Sequence, residues 1–502
     1  MRLALPLRLA LAAAVLAAAA LGGPGISPAL ARPRPARAAA PTVPVVVDGS
    51  QPGRAIEPGY LGLSFEAAAL GQIVRLGQHG DLVGLLRSVG PGLMRFGGIT
   101  ADENVGWTDA QTPPPPWATS VIDPAELDAL GTLARRTGWH VLLTVGLAHY
   151  EPLPAAREVA AAHRALGPYL AAVEIGNEPD SLGRHGYRAL PWLAQGYEEE
   201  VASYREAIAA LTPGVAIAGP DVSGSGLFAG WGEAEALAQV PALLTGHHYP
   251  LGCAQTPPPS IEALLSVATR HREAGSLSAY LKVSRTSGIP LRIDETNSVS
   301  CGGVPGISDT FASALWATAY TTQVIAAGAQ GLNLQGNPTN CPGYTPLCAP
   351  TPAALAAGAL SARPDWYALL ITRSLAGSRP LLGRIETSPA PNLVAQPFVA
   401  PDGDIQTVLV DDEPPQAGPL VLRLHVGAGY RTATVLRLTA PSPSATADVE
   451  LGGHVVARDG SLPAPRAIER HAVHGGVVKI VLPPSSAALV STGPPRRHAR
   501  AR

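Results

Sequence analysis

Two glutamates that follow apolar runs could together perform acid–base and nucleophilic chemistry. Glu178 ends the run AAVEIGNE and precedes Pro179, and Glu295 closes the apolar part of PLRIDET. A pair of carboxylates about 5–5.5 Å apart can cleave a glycosidic bond with retention, one acting as acid/base and the other as nucleophile. By itself an Asn-Glu-Pro triplet is only a turn, so the pattern indicates this chemistry only if the fold brings both glutamates to one site.

The surrounding sequence predicts a fold that can do so. Eight short apolar runs are each followed by a helix-compatible stretch, which is the pattern of an α/β protein of the (β/α)8 TIM-barrel type. A doubly wound open sheet is the alternative, but no G-x-G-x-x-G follows the first run. The runs are 60–66, 92–98, 140–147, 171–178, 215–221, 242–250, 290–296 and 331–337.

Residues at the carboxyl ends of barrel strands face the active site, so the last residues of each run are the candidate site residues. We expect Asn177 to bind a sugar 2-hydroxyl, and Tyr249 and Arg95 to keep Glu295 ionised and oriented. Glu178 must carry a proton, so we expect it to be the more buried glutamate. Strand-end position also selects Glu66, His248 and Gln335.

Strand alternation gives two further expectations. His247 and His248 should point to opposite faces, one lining the site and one packed outside, so they do not predict a metal site. Asp294 should point away from the barrel axis, because its neighbour Glu295 points inward. No metal and no other cofactor is expected.

The remaining sequence predicts the domain organisation. Residues 1–31 have arginines before an apolar stretch and end in Ala-Leu-Ala, as in a signal peptide, and 32–42 predict a disordered leader. The barrel is assigned to 43–377, although the strand-like run 43–49 could join the second domain. Alternating short runs over 378–492 predict an antiparallel β-sandwich, and 493–502 a basic disordered tail.

Charge and cysteine content narrow the function classes. A net charge of −2 offers no argument for binding nucleic acid or an anionic membrane. An even number of cysteines in an exported chain favours disulfides, with three possible connectivities. Pairing of Cys341 with Cys348 would close a short loop, and pairing of Cys253 with Cys301 would join two distant ones.

The motifs GNEPD, GHHYP and IDETNS, with RFGG and Asp102 after the second run, resemble glycoside hydrolase family 79. SCGGVPGISDTFASALW and the trailing β-domain extend the resemblance over residues 43–490. That family contains β-glucuronidases and heparanase-like enzymes, and the resemblance implies that Glu178 is the acid/base and Glu295 the nucleophile. This chain has Ser300-Cys301 where uronate-specific members have a Tyr-Gly pair. Backbone amides at Gly302 and Gly303 could instead bind the sugar carboxylate.

These expectations describe an exported exo-β-glucuronidase that acts on a glycan or glycoside, with no nucleic-acid partner and no membrane association after signal cleavage. A retaining glycosidase for arabinofuranosides, xylosides or glucosides is the alternative, and a non-catalytic carbohydrate-binding barrel is a third possibility. Endo or exo action, the aglycone and the oligomeric state stay open.

Overall fold

Eight parallel strands close into a barrel in which sequence neighbours pair and the eighth strand pairs with the first. The computed structural model describes residues 40–465 and 467–493. All eight predicted runs form barrel strands, so the predicted fold class is confirmed. In chain order the strands are Leu61–Glu66, Leu93–Gly97, His140–Val145, Leu170–Ile175, Ile217–Val222, Leu243–His248, Leu291–Thr296 and Gly331–Gln335.

Helices cover the outside of the barrel. The helix after the second strand shows how local sequence sets its ends: the Asp123 side chain accepts a hydrogen bond from the Glu126 amide, Pro124 occupies the first turn, and Gly138 ends the helix at a φ of 75°. The helices are Leu70–Gln78, Leu82–Ser88, Ile99–Glu103, Pro124–Thr137, Pro152–Leu166, Ala194–Leu211, Ser225–Ala238, Ile261–Leu264, Val267–Ser287, Phe311–Ala327, Pro352–Ala356 and Trp366–Arg373.

Arginines at the carboxyl ends of these helices bind the terminal carbonyls of neighbouring helices. Arg135 Nη1, for example, donates to the Ala165 carbonyl at 3.0 Å, and Arg285 Nη2 donates to the Ala327 carbonyl at 3.0 Å. The last carbonyls of a helix have no partner within the helix and carry its negative dipole end, so a guanidinium there is favourable. The same contact is made by Arg87 with Arg136, by Arg136 with Gly77 and by Arg373 with Ser88.

Two β-sheets form a sandwich beside the barrel, with a separate apolar core between them. The first described strand of the chain, Thr42–Asp48, lies in the smaller sheet and runs parallel to Leu420–His425. The larger sheet turns residues such as Phe398 and Val408 towards the barrel core. The smaller sheet has the order Leu382–Ile385, Thr42–Asp48, Leu420–His425, Val477–Leu482, and the larger one Arg379–Pro380, Leu393–Val399, Ile405–Asp411, Ser486–Gly493, Thr432–Thr439, Glu450–Leu451, with Ile468–Ala472 also pairing with Thr432–Thr439.

Several predicted segments lie outside the described residues: the signal peptide at 1–31, most of the leader at 32–42 and the tail after 493. Within residues 40–465 and 467–493, no helix is long and apolar enough to cross a membrane.

All four cysteines are paired, Cys253 with Cys301 and Cys341 with Cys348. The expectation of disulfides is confirmed, and the structure selects one of the three possible connectivities. Cys253–Cys301 joins the loop after the sixth barrel strand to the loop after the seventh. Cys341–Cys348 closes a loop after the eighth strand, so both bonds act on loops at one end of the barrel.

The two disulfides should differ in their contribution to stability. A cross-link removes more entropy from the unfolded chain when it closes a longer loop, and the sequence separations are 48 and 7 residues. In that model the paired replacement Cys253→Ser/Cys301→Ser should lower the free energy of unfolding by about 4 kcal/mol and Cys341→Ser/Cys348→Ser by about 2 kcal/mol. Urea unfolding measures both. A thiol assay of the unfolded wild type should find no thiols before reduction and four after, and free thiols before reduction would contradict the pairing.

Candidate active site

A cavity of about 640 Å³ opens at the carboxyl ends of the barrel strands. It is the end of the barrel where active sites of this fold are found. Seven of the predicted site residues line it: Glu66, Asn177, Glu178, Tyr249, Glu295, Gly302 and Gln335. The predicted Arg95, Asp102, His248 and Gly303 do not.

Glu178 lies on a tight turn after the fourth strand, which ends at Ile175. Its φ of 45° is in the left-handed region, which costs a non-glycine residue about 1 kcal/mol or more. The turn is held from both sides, because the Glu178 amide donates to the Asp221 carbonyl at 2.9 Å and the Trp192 indole donates to the Pro179 carbonyl at 2.8 Å. The strained backbone conformation at Glu178 therefore directs its carboxylate into the cavity.

Glu295 lies within the seventh strand and is held by two donors. Tyr249 donates its hydroxyl to Oε1 and Arg95 donates Nη1 to Oε2, each at 2.8 Å. One oxygen of Glu178, one of Glu295 and one nitrogen of His247 lie within 4.8 Å of one another. A closest approach of this size is compatible with a retaining pair, whose carboxyl groups are about 5–5.5 Å apart.

The burial of the two glutamates is the reverse of our expectation. The Glu178 side chain is 32% exposed and the Glu295 side chain 10% exposed. The prediction that Glu178 is the more buried was wrong, because Glu178 is carried on a turn at the cavity mouth whereas Glu295 is part of a strand.

Arg95 sits on the barrel axis, fully buried, and joins most of the polar groups of the site. Its Nε contacts Glu174 at 2.9 Å and Asp294 at 3.0 Å, and its Nη2 contacts Asp221 at 2.6 Å. Burial would lower the pKa of Arg95, but the charges of Asp221 and Glu174 raise it, so the guanidinium stays charged. Burial would raise the pKa of Asp221, but Arg95 and His247 together hold it below its ordinary value.

The same guanidinium orients Asn177. Arg95 Nη2 donates to Asn177 Oδ1 at 2.8 Å, so the amide nitrogen of Asn177 is the end left for a ligand. Asp102 lies behind the turn. Its carboxylate accepts hydrogen bonds from two backbone N–H groups, that of Asn177 at 2.7 Å and that of Ala148 at 3.0 Å. Burial raises the pKa of Asp102 to about 6. Asp102 therefore braces the turn that carries Glu178 from outside the cavity.

Asp294 points into the barrel, which corrects the alternation argument. The seventh strand changes register between Ile293 and Glu295 against the sixth strand, and a similar irregularity occurs against the eighth. A bulge of this kind lets two consecutive side chains share a face. Burial raises the pKa of Asp294 well above its ordinary value, and the neighbouring Asp221 and Glu174 raise it further.

His247, rather than the predicted His248, lies in the site. His247 Nδ1 lies 2.8 Å from Glu178 Oε1 and Nε2 lies 2.8 Å from Asp221 Oδ1. Both ring nitrogens face carboxylate oxygens, an arrangement that an imidazolium satisfies by donating at each nitrogen. Burial would lower the pKa of His247, but Asp221 and Glu295 raise it well above its ordinary value.

His248 packs outside the barrel wall, so its assignment to the site was wrong. Its ring stacks on Tyr320 with centroids 5.0 Å apart, and Nδ1 lies 3.2 Å from Ser276 Oγ. The sequence contained the signal needed to choose between the histidines: Tyr249 was expected to face inward, and with a period of two His247 then faces inward too.

Glu66 and Gln335 are neighbours in the cavity lining, whereas Gly303 belongs to a nearby loop. Glu66 accepts from the Thr100 hydroxyl at 2.6 Å and lies 3.5 Å from Gln335 Nε2. Burial and then the charge of Glu295 raise the pKa of Glu66. The Gly303 amide donates to the Ser300 carbonyl at 3.3 Å, and Gly303 does not line the cavity. Gly303 is therefore removed from the predicted anion-binding amides, because its N–H is already used within the loop.

Comparison with solved structures finds the same fold in several glycoside hydrolases. A 4-O-alpha-L-rhamnosyl-beta-D-glucuronidase from Fusarium oxysporum 12S has 19% identity and a TM-score of 0.72, covering 90% of this chain and 100% of its own. A GH51 arabinofuranosidase from Xanthomonas axonopodis pv. citri has 16% identity and a TM-score of 0.63, covering 90% and 99%. The catalytic domain of GH30 xylanase C from Talaromyces cellulolyticus has 12% identity and a TM-score of 0.54, covering 89% and 99%.

No protein-family model matches the sequence, and no curated protein is significantly similar to it. The structural likenesses therefore establish the shared fold.

Removing the Arg95 charge should destabilise the protein strongly. Arg95→Met would leave Glu174, Asp221 and Glu295 buried without their main cation, and breaking a buried ion pair in this way costs about 3–5 kcal/mol. Asp221 has a lowered pKa in the folded state, so its ion pairing stabilises the protein above its unfolded pKa of about 3.9 and is lost as pH falls further. The deficit should therefore be full at pH 7 and shrink below about pH 4.

Urea unfolding of wild type and variant at pH 7 and again below about pH 4 tests this expectation. Arg437→Met is the matched control, since it removes a peripheral pair with Glu469 in the sandwich and should cost about 1 kcal/mol or less. Equal losses for the two variants would contradict the central role of Arg95.

Proposed function

We propose that this protein is a retaining glycoside hydrolase that works by double displacement, with Glu178 as acid/base and Glu295 as nucleophile. The observation that carries the proposal is the placement of one oxygen from each glutamate within 4.8 Å across the cavity. The fold shared with glycoside hydrolases supports it.

In the first step Glu295 attacks the anomeric carbon, the bond to the leaving oxygen breaks, and Glu178 gives that oxygen a proton. In the second step Glu178 takes a proton from water, the water oxygen bonds to the anomeric carbon, and Glu295 leaves as a carboxylate. His247 donates to Glu178 Oε1, so the catalytic proton is carried on Oε2, the oxygen that His247 does not engage. Each time Glu178 becomes a carboxylate, the imidazolium stabilises the new charge.

Asn177 has the geometry to hold the sugar. Arg95 fixes its oxygen and Asp102 its backbone amide, so the Asn177 side-chain N–H groups are presented to the 2-hydroxyl. A hydrogen bond there strengthens in the transition state, because the sugar ring becomes positively charged.

For the sugar itself we propose a β-linked glucuronide, removed by exo action, as in glycoside hydrolase family 79. The sequence motifs support this choice, and one structural neighbour is by name a β-D-glucuronidase. The two disulfides also support a protein that works outside the cytoplasm.

A neutral sugar is the second candidate, and one observation favours it. Among the described residues that line the cavity there is no arginine or lysine, whereas Glu66, Glu178 and Glu295 are all acidic. A sugar carboxylate would have to be held by neutral donors such as the Gly302 amide or side-chain amides of the rim. A non-catalytic carbohydrate-binding barrel is the third candidate, and any turnover of an aryl glycoside excludes it.

Replacing the two glutamates should separate their roles. Glu295→Gln removes the nucleophile and should lower kcat by about 10⁴-fold or more on every substrate. Glu178→Gln should lower kcat/KM by about 10²–10⁴-fold on substrates with poor leaving groups and leave kcat/KM nearly unchanged on aryl glycosides whose leaving group needs no proton, although kcat falls there too because the second step lacks its base. The exposed Glu233→Gln serves as control and should be unchanged. Equal losses of kcat/KM for Glu178→Gln and Glu295→Gln on an activated aryl glycoside would contradict the assignment.

A substrate pair decides between the two sugar classes. A site built to bind a carboxylate rejects the analogue that lacks it, since its donors stay unpaired. We expect kcat/KM on p-nitrophenyl β-D-glucuronide to exceed that on the β-D-glucoside by on the order of 10²–10⁴. A ratio at or below one, with turnover of a glucoside, xyloside or arabinofuranoside, would establish the neutral-sugar alternative.

A further inference from the structure

We propose that Tyr344, on the loop after the eighth strand, is a positioning residue for the nucleophile: its hydroxyl donates to Tyr249, and Tyr249 donates to Glu295. The inference rests on the proposed function and adds to it a residue that lies 49 positions beyond Glu295 in the chain. Tyr344 is buried at the cavity wall, and its ring stacks on Tyr249 with centroids 5.8 Å apart.

The donor and acceptor roles along these two hydrogen bonds follow from the number of protons available. The Tyr249 oxygen lies 2.8 Å from Glu295 Oε1 and 3.2 Å from the Tyr344 oxygen. A phenol has one proton to donate, and a bond to a carboxylate is roughly twice as strong as a neutral one. Tyr249 therefore gives its proton to Glu295, and the contact at 3.2 Å is a hydrogen bond only if Tyr344 is the donor.

Both hydroxyls keep their protons in this environment. Burial and then the charge of Glu295 raise the pKa of Tyr249 and of Tyr344 well above that of a free phenol. A donor that itself receives a hydrogen bond is polarised and becomes stronger, by about 10–30% per bond. Tyr344 thus strengthens the hold of Tyr249 on Glu295 without touching Glu295.

The backbone fixes the place of Tyr344 closely. Its amide and the Asn340 side chain both donate to the Gly302 carbonyl, each at 3.1 Å. Gly303 has a φ of 87°, and a Cβ there would lie 2.3 Å from the Tyr344 amide nitrogen. The two loops that meet here each carry a disulfide, Cys253–Cys301 on one side and Cys341–Cys348 on the other. Tyr344 is therefore held by covalent bonds and close backbone packing rather than by a flexible loop.

The two linked hydrogen bonds, from Tyr344 to Tyr249 and from Tyr249 to Glu295, should act differently on the two chemical steps. Before glycosylation Glu295 carries a full negative charge that is partly lost in the transition state, so donors to Glu295 do not favour that step. During deglycosylation the charge returns to Glu295 as it leaves, so the same donors stabilise that transition state. Weakening the chain should therefore slow deglycosylation more than glycosylation, and the glycosyl–enzyme should accumulate.

The test is a double-mutant cycle with Tyr344→Phe in the wild type and in Tyr249→Phe, on an activated aryl glycoside that the wild type turns over. A donor to a developing oxyanion is worth about 10²–10³-fold, and 10–30% of that free energy corresponds to roughly two- to eightfold. Tyr344→Phe should lower kcat by that factor, lower KM with it, leave kcat/KM nearly unchanged and produce a burst of aryl alcohol. In Tyr249→Phe the second change should have no further effect.

Tyr367→Phe is the matched control, because it removes a buried tyrosine hydroxyl that accepts only from the Val456 amide, away from the cavity. It should leave kcat and KM unchanged. A rise in KM for Tyr344→Phe, or an equal loss in both backgrounds, would overturn the proposal and make Tyr344 a direct substrate contact.

The same cycle measured on the free energy of unfolding reads the Tyr344–Tyr249 coupling without turnover. Additive losses there would overturn the hydrogen-bonded chain even in an active enzyme. A wild type that turns over no glycoside would instead refute the proposed function, while the unfolding cycle would still report on the chain.

Discussion

A single buried guanidinium organises the carboxyl end of this barrel. Arg95 lies on the second strand and contacts carboxylates from the fourth, fifth and seventh strands at N–O distances of 2.9, 2.6 and 2.8 Å. Uncompensated, these carboxylates could not be buried together, because each would cost several kcal/mol to remove from water. The cation makes the arrangement possible, and it also fixes the oxygen of Asn177 and one oxygen of Glu295.

A second cation completes the charge balance. The His247 ring bridges Asp221 and Glu178 through its two nitrogens. Arg95 and His247 thus face the carboxylates of Glu174, Asp221 and Glu295, while Glu178 carries the catalytic proton in the first step of the proposed reaction. The charge of Glu295 lies where the sugar ring becomes positive in that reaction. Electrostatic preorganisation of this kind costs nothing at the moment of reaction, since the groups are already in place.

The proposed acid/base and nucleophile are held with different stiffness. Glu295 is part of a strand and is gripped at both oxygens, whereas Glu178 stands on a strained turn at the cavity mouth and is a third exposed. This division suits the chemistry, because a nucleophile has to keep one geometry while the acid/base must exchange protons with a leaving group and with water. The disulfide-linked loops extend the rigid side of the cavity beyond the barrel itself.

The sequence by itself predicted the barrel, the position of Glu178 after the fourth strand and of Glu295 in the seventh, and the contacts expected of Arg95 and Tyr249 with Glu295. Hydrophobic periodicity and strand-end position are local properties, and they are read directly from neighbouring residues. Tertiary structure decided everything that depends on distance through space: the bulge that turns Asp294 inward, the exposure of Glu178, and the loss of Gly303 as a free donor. It also decided that Tyr344 contacts Tyr249, which lies 95 residues away in the sequence. No local pattern encodes such a contact, because it exists only after the barrel closes and two disulfide-bonded loops meet over its mouth.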